Sequence, residues 1–469
     1  MLNRILNLIK KILPKKLLKK ILPVYHFLLA KLSALIYNYP SEKMLVIGVT
    51  GTAGKSSSCY FIAQILESAG YKVGLTTTTL FKIDTREWLN NKKMTMLGRL
   101  QTQKLLAQMV TEKCQVAIIE TSSQGIEQFR HIGINYDILV FTNLYPEHIE
   151  NHGGFENYKK AKGKLFKYLT NCSNKKLIIK NQELNIAKTI IINGDDEHAE
   201  YFLNFKIDRK IVYGVNNELR IMNYGKSVEK ICAEKVIKEN TIIKTIIHNS
   251  LFIIHLLGDY NLYNVLAGLS VAKILNIDEE KIKTAVANLK PLPGRLEFIK
   301  NNRGIKILVD YAFEPEALKK LYVVVKDVPH NHIIHVLGAA GGGRDSQKRP
   351  KMGLLAAENS DVIIITNEDP YDENPQKIID EVAKGTEFPS TYQGEDSRHG
   401  VAEGEIKEKL FKILDRREAI KKALELAQEN DLILITGKGA EQAICVANGE
   451  MIPWDDRQVV REELKKISQ

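Results

Sequence analysis

The stretch 44–66, MLVIGVTGTAGKSSSCYFIAQIL, sets a Gly-Lys-Ser triplet between an apolar run and a helix-like run. Lys55 and Ser56 are the residue types that meet a nucleotide, an ammonium for the β- and γ-phosphates and a hydroxyl for Mg2+. Gly51, Thr52, Gly54, Lys55, Ser56 and Ser57 stand where a strand turns into a helix. There, main-chain N–H groups and the helix dipole favour phosphate. A strict phosphate-binding loop wants glycine five residues before the Gly-Lys pair, and that position is Val49. The loop is of a shorter kind.

Other residues invite chemistry. Glu120 closes the apolar run VAIIE, where a carboxylate has a purpose beyond solvation. His148 stands in NLYPEHIENHG, and a histidine after a strand is either structural or a ligand. Lys159, Lys160, Lys162 and Lys164 crowd NYKKAKGKLF as one basic helix.

These residues need elements to position them. MLVIGV, YKVGLTT, CQVAIIET, YDILVFTN and KTIIING are apolar runs with helical stretches such as SSSCYFIAQILESAG between them. They predict a parallel sheet covered on both faces. Residues 207–257 (RKIVYGV, TIIKTIIHN, LFIIHLL) lack intervening helices and predict a small antiparallel appendix to that sheet. The composition of LKPLPGRLEFI then marks a domain boundary. Beyond it IKILVDYA, HIIHVLGAAGG, DVIIITNEDP and DLILITGKG repeat the alternation, with a polar surface loop expected over 384–408. The expected class is α/β. A P-loop-type ATPase domain with a mostly parallel sheet spans 44–292, and a Rossmann-like α/β domain spans 293–469. A basic amphipathic segment over 1–43 precedes both.

At 469 residues, 44% hydrophobic and 26% charged, the chain is long enough for two or three well-buried domains. Cys59, Cys114, Cys172, Cys232 and Cys445 are scattered without a CxxC pair. That speaks against a zinc ribbon or disulfide framework and fits a reducing cytoplasm. Of the net charge of +11, residues 1–43 supply +8, from nine lysines and arginines against Glu42. The body is therefore not the strongly basic surface of a nucleic-acid binder. In the first segment apolar residues recur at helical spacing among lysines, with Pro14 and Pro23 as breaks. Lys31 and His26 interrupt its most apolar run and no cleavage-site pattern follows, which disfavours a transmembrane helix or signal peptide. Two readings stand. It lies on an anionic membrane surface, at the inner face, or it is a pair of helices packed on the body.

GVTGTAGKSSS resembles the GxTGTNGKTTT loop of the Mur ligases, with Ala53 in place of Asn and serines in place of threonines. IETSSQGIEQFRHIGINYDILVFTNLYPEHIENHGGFENYKKAKGKLF resembles the central block of the branch that adds the third residue of the peptidoglycan stem peptide (MurE). GDYNLYN, PLPGRLE, VDYAFEPEAL, GAAGGGRDSQKRPKMG, TNEDPYDENP, LDRREAI and GKGAEQ follow in that branch's order. The resemblance covers nearly the whole chain after residue 43. It implies an ATP-dependent amide ligase of cell-wall synthesis, in which a muramoyl-peptide carboxylate is phosphorylated and an amino acid's amine displaces phosphate. It implies Mg2+ at Ser56, Glu120, His148 and Lys162, the last as a carbamate. ATP would lie on the 51–57 loop with Asn264 at the adenine, and Arg295 and Asp310 would reach its phosphates and ribose from the second domain. Domain closure would then belong to the mechanism. Thr77, Thr78, Ser122, Gln128 and Arg130 match positions that hold the muramoyl peptide, Arg130 suiting a diphosphate or carboxylate.

The amino-acid pocket departs from the family pattern. The DNPR motif of the diaminopimelate-adding enzymes reads Glu368-Asp369-Pro370-Tyr371 here. Tyr371 cannot pair bidentately with a second carboxylate, whereas Glu368 and Asp369 suit an amine, as in lysine, ornithine or another amino acid. Arg344 and Glu441 match groups for an α-carboxylate and an amine. Ala440 stands for the histidine of GKGHE and Phe313 for that of YAHTP. The branch begins with a UDP-binding domain, and 43 residues precede the first strand here, so a UDP-linked and a lipid-linked acceptor are both open. A same-fold ligase for another carboxylate, of the folylpolyglutamate or lipid-linked amidation type, is the runner-up. The amidation type carries a four-cysteine zinc insert that the scattered cysteines here do not make. A non-catalytic membrane-associated homologue is disfavoured by the intact Lys55, Ser56, Glu120, His148 and Lys162. A motor or GTPase is disfavoured by the lack of an NKxD-type motif.

Overall fold

The computed structural model describes residues 15–146, 152–215, 228–239, 241–343, 345–387 and 409–467. The bulk of the chain divides into two compact units, one reaching to Lys290 and one from Pro291 onward.

In the first unit the apolar runs become an eleven-stranded sheet. Its centre holds Thr189–Asn193, Ile138–Phe141, Leu45–Thr50, Val116–Glu120 and Val73–Thr76, neighbours in that order and all parallel. Leu45–Thr50 is buried along its whole length, as a strand covered on both faces must be. Helices Lys55–Ser68 and Tyr260–Ile274 cover one face. At their crossing Gly268 lets the backbones approach, since a Cβ there would stand 2.7 Å from Ile65 Cδ1. Leu106, Phe141, Phe166 and Phe202 belong to the core on the other face, under helices Arg99–Thr111 and Phe155–Leu169.

The appendix expected over 207–257 is only partly antiparallel. Arg209–Val215 pairs in parallel with Thr189–Asn193, and Glu229–Glu239 in parallel with Arg209–Val215, so both continue the main sheet. The short helix Ala199–Leu203 serves as the first crossover, too brief to register as a helical pattern in the sequence. Ile242–Ile247 and Ser250–Ile254 form the antiparallel hairpin at the edge.

Helix Lys15–Ile36 runs through Pro23, which the sequence reading takes as a break. A proline inside a helix forfeits one main-chain bond, and packed turns beyond it can outweigh that loss. Here Ala30, Ser33 and Ala34 are buried, Ala34 close enough to Gly133 that a Cβ there would stand 2.8 Å from its own. Ile21, Val24, Leu28, Leu32 and Leu35 form a second stripe at helical spacing, 44–59% exposed. Among the described residues no helix is long and apolar enough to cross a membrane.

The second unit is a six-stranded sheet in which Lys306–Val309, Leu432–Ile435, Ile333–Leu337, Val362–Ile365 and Leu410–Lys412 are parallel neighbours and Glu297–Phe298 is an antiparallel edge. Helices Pro315–Lys326, Lys348–Asn359 and Pro375–Ala383 bury one face, Arg416–Leu426 and Asp456–Ile467 the other. The loop expected over 384–408 lies mostly outside the described residues.

Candidate active site

Strand Leu45–Thr50 ends in the loop 51–54, from which helix Lys55–Ser68 starts. Gly54 caps that helix at φ 77°, and a Cβ there would stand 2.6 Å from Asn264 Oδ1. A Cβ on Gly51 would stand 1.9 Å from Thr142 Oγ1. Only glycine lets the main chain lie this close at both points. Asn143 pins the loop, accepting from Thr52 N at 2.9 Å through its carbonyl and from Ala53 N at 2.8 Å through Oδ1. The result is a cradle bounded by two glycines at a helix N-terminus, which fits a phosphate chain. Lys55 Nζ folds back to donate to Thr52 O at 2.7 Å, and its flexible stem can reach outward instead. Ser57 is half-buried on the first turn.

Ser56 Oγ donates to Glu120 Oε2 at 2.7 Å. Glu120 is 2% exposed at the end of its strand, paired in register with Val49. Its carboxylate also accepts from Thr78 N at 2.7 Å and Thr78 Oγ1 at 3.0 Å. Three donors fix its orientation. Lys162, 1% exposed on helix Phe155–Leu169, donates from Nζ to Gly51 O at 2.6 Å and lies 4.5 Å from the centre of the Tyr158 ring. Lys55, Ser56, Glu120 and Lys162 thus meet around one loop at the carboxyl ends of parallel strands, where open α/β sheets bind ligands. His148 lies outside the described residues, as does Arg344.

Asn264 is buried with its amide in use. Its Oδ1 accepts from Ser58 Oγ at 2.9 Å and its Nδ2 donates to Asn261 Oδ1 at 2.9 Å. Thr77 builds a turn, its Oγ1 donating to Leu80 O and accepting from Leu80 N, so of the two threonines it is Thr78 that touches Glu120. Ser122 caps the short helix Ser123–Glu127, accepting from Gly125 N at 3.2 Å. Gln128 Oε1 accepts from Arg130 Nε at 3.0 Å and Nη2 at 2.7 Å.

Several contacts have no motif in the sequence to announce them. Tyr158 OH lies 3.1 Å from Thr52 Oγ1. His152 Nε2 lies 3.1 Å from Ser123 Oγ and its Nδ1 3.6 Å from Glu127 Oε2, linking His152 to the helix before Gln128. The repeat of histidine four residues on, in HIENHG, is the only signal that could have found it.

In the second unit Asp369 Oδ1 accepts from Lys438 Nζ at 2.9 Å and Cys445 N at 2.7 Å. Lys438 also donates to Glu441, whose Oε1 accepts from Tyr311 OH at 3.0 Å. Glu368, 3% exposed, has an Oε2 with no hydrogen-bond partner, and burial raises its pKa against the pull of Lys438. Tyr371 sits at φ 51° with its ring against Gly342. Arg295 stacks 4.3 Å over the Tyr311 ring. Both Asp310 oxygens accept main-chain N–H groups, from Leu296 and Ala312 at 2.8 Å, which makes this aspartate a brace for the loop carrying Arg295.

The Mur ligase middle domain profile matches residues 49–272, and the profile of the Mur ligase glutamate ligase domain matches residues 294–439. The UDP-N-acetylmuramoyl-L-alanyl-D-glutamate–2,6-diaminopimelate ligase of Clostridium botulinum is 33% identical over 94% of this chain and 82% of its own length. The UDP-N-acetylmuramyl-tripeptide synthetase of Borreliella burgdorferi is 33% identical over 94% of this chain and 80% of its own. A solved UDP-N-acetylmuramoyl-L-alanyl-D-glutamate–2,6-diaminopimelate ligase superposes with a TM-score of 0.58 at 28% identity, over 91% of this chain and 79% of that one. With the glycine loop, the Ser56–Glu120 pair and this extent of likeness together, the chain belongs to the Mur ligase family.

Proposed function

We propose that this protein joins an amino acid to the free carboxylate of a muramoyl peptide at the expense of ATP, in peptidoglycan precursor synthesis. The reading is carried by the Ser56 hydroxyl and Glu120 carboxylate meeting beside a glycine cradle, with Lys162 against the same loop. The acceptor carboxylate takes the γ-phosphoryl group and ADP leaves. The amine nitrogen then attacks the acyl carbon, and phosphate departs with the C–O electron pair while the amine gives up its proton. Lys55 swings from Thr52 O to the β/γ-phosphates, and the first-turn N–H groups orient them. Ser56, Glu120 and Lys162 as a carbamate, with His148, would hold Mg2+, which would supply charge neutralisation for the phosphoryl transfer.

The added amino acid carries a side-chain amine rather than a second carboxylate. Tyr371 offers no guanidinium, and Asp369 is engaged by Lys438 and Cys445 N. Glu368 Oε2 is the buried acceptor left over, and an ammonium beside it would satisfy it. The test is phosphate release with ATP, Mg2+ and UDP-muramoyl-dipeptide against lysine, ornithine, diaminopimelate and neutral amino acids. Release with lysine or ornithine at least about 10-fold faster than with diaminopimelate is expected. A preference for diaminopimelate overturns the pocket reading, and no release with any of them overturns the ligase reading.

The second part of the proposal is peripheral contact with an anionic membrane surface. The support is the exposed stripe Ile21, Val24, Leu28, Leu32 and Leu35, preceded on the same helix by Lys15, Lys16, Lys19 and Lys20. An apolar face with flanking cations suits acyl chains beneath acidic headgroups. The full chain should sediment with vesicles containing phosphatidylglycerol and not with pure phosphatidylcholine, and the double variant Leu28→Asp/Leu32→Asp should stay in solution. Equal sedimentation of the variant refutes the contact.

A further inference from the structure

We propose that the loop 193–196, with Asp195 and Asp196, is the positioning device of the nucleotide site in the first unit. One aspartate sets the segment that pins the glycine cradle, and the other sets the helix that carries Asn264. The inference rests on the ligase reading only in that ATP fills the cradle.

Asn-Gly-Asp-Asp begins at the end of strand Thr189–Asn193, beside strand Ile138–Phe141. Asn193 Nδ2 donates to Thr142 O at 2.8 Å, and Asn193 Oδ1 accepts from Asp195 N at 3.1 Å. Asp196 Oδ2 accepts from Leu144 N at 2.7 Å, while its Oδ1 accepts from His198 N at 2.9 Å. Thr142 and Leu144 are thus held on either side of Asn143, the residue that takes the Thr52 and Ala53 N–H groups. The same segment reaches the cradle again. Thr142 Oγ1 and Asn143 Nδ2 donate to Ala53 O at 2.7 and 3.2 Å, and Tyr145 N donates to Thr52 Oγ1 at 3.3 Å. The glycine loop hangs from residues 142–145, and these hang from Asn193 and Asp196.

The neighbouring carboxylate secures the helix beside the cradle. Asp195 Oδ2 accepts from Val215 N at 2.7 Å and from Tyr263 OH at 3.0 Å. Tyr263 precedes Asn264 on helix Tyr260–Ile274, and Asn264 Oδ1 meets Ser58 Oγ and the bare face of Gly54. Asp195 thereby fixes how Asn264 stands against the cradle. A strand-to-helix turn needs only the local bond from His198 N. The bonds to Leu144 N, Val215 N and Tyr263 OH reach 52, 20 and 68 positions along the chain. Carboxylates suit this task, because charged acceptors make the stronger bonds. Asparagine at 196 would keep the shape with a single acceptor oxygen, and turn an NH2 group toward one of two main-chain N–H groups.

The experiment compares wild type with Asp196→Asn, Asp195→Asn and Tyr263→Phe, as full chains, on UDP-muramoyl-dipeptide and the amino acid that gives fastest phosphate release. Loss of one charge-assisted bond predicts a KM for ATP raised about 10-fold in each aspartate variant, with the KM for acceptor and for amino acid unchanged. Tyr263→Phe should raise the KM for ATP by a smaller factor, and combining it with Asp195→Asn should add nothing further. Three KM values that rise together, or a fall in Tm with the KM for ATP unchanged, overturn the proposal. A second readout needs no turnover. The Kd for Mg–ADP, measured by calorimetry, should rise by the same factor as the KM for ATP. If that Kd rises in the variants while wild type turns over no acceptor, the positioning role stands and the ligase reading falls. An unchanged Kd in both aspartate variants removes the role. Should either aspartate variant fail to fold, Tyr263→Phe decides: a raised Kd supports the role, and an unchanged one overturns it.

Discussion

Lys162→Ala is expected to lower kcat by about 10³-fold or more, equivalent to about 4 kcal/mol of transition-state stabilisation, while the KM for ATP changes far less. Lys162 is 1% exposed and reaches Gly51 O, the carbonyl at the root of the glycine cradle. Two roles would give that position a purpose. As an ammonium it pins the loop. As a carbamate it presents two oxygens next to Ser56 and Glu120, the donor set a hard cation wants. Rescue of the alanine variant separates them, because the vacated space admits small molecules of opposite charge. Propionate or butyrate should restore part of the activity if a carboxylate-like group is needed, and propylamine should restore it if an ammonium is. Rescue by the amine alone removes the carbamate from the mechanism. A kcat lowered less than about 10-fold, without rescue by either, removes Lys162 from it altogether.

What the sequence made legible follows from how local each signal is. The glycine loop is a contiguous strand–turn–helix, so its cradle could be read from 44–66 alone. Glu120 was legible because a carboxylate ending an apolar run is conspicuous. Thr77 and Thr78 were not separable, since which of two adjacent threonines folds into a turn depends on the register with Leu80. Asp369 reads in sequence as a free partner for an amine. Its engagement by Lys438 comes from a residue 69 positions away, which no spacing rule reaches. Asp195 and Asp196 gain meaning only through Tyr263 and Leu144, which are equally remote. The parallel strand Arg209–Val215 was mistaken for an antiparallel one because its crossover helix has only five residues.

The same distance effect hides the residue whose loss should unfold the first unit. Asp137→Asn is expected to destabilise that unit by about 3–5 kcal/mol, the cost of leaving buried charges unpaired. Asp137 lies at the start of strand Ile138–Phe141 and is 2% exposed. Lys175 Nζ donates to its Oδ2 at 2.5 Å and Lys188 Nζ to its Oδ1 at 2.9 Å, both lysines being buried. Val46 N donates to Oδ2 at 2.9 Å, and Lys175 also bonds the carbonyls of Ser41, Met44 and Asn135. One carboxylate thus knots the starts of the strands whose far ends carry the glycine loop. Burial lowers the pKa of Lys175, and Asp137 is the largest influence raising it. Without Asp137 the Lys175 ammonium falls further below its unfolded value of about 10.4. A depressed lysine opposes folding while protonated, and that opposition fades as pH rises through its folded pKa. The deficit of Asp137→Asn, followed by denaturant unfolding of the first unit, should therefore narrow between pH 7 and pH 10. A deficit of constant size across that range would assign the loss to the altered hydrogen bond at Val46 N and not to the two charges. Because asparagine keeps an oxygen for Val46, the charge explanation is the one the geometry favours.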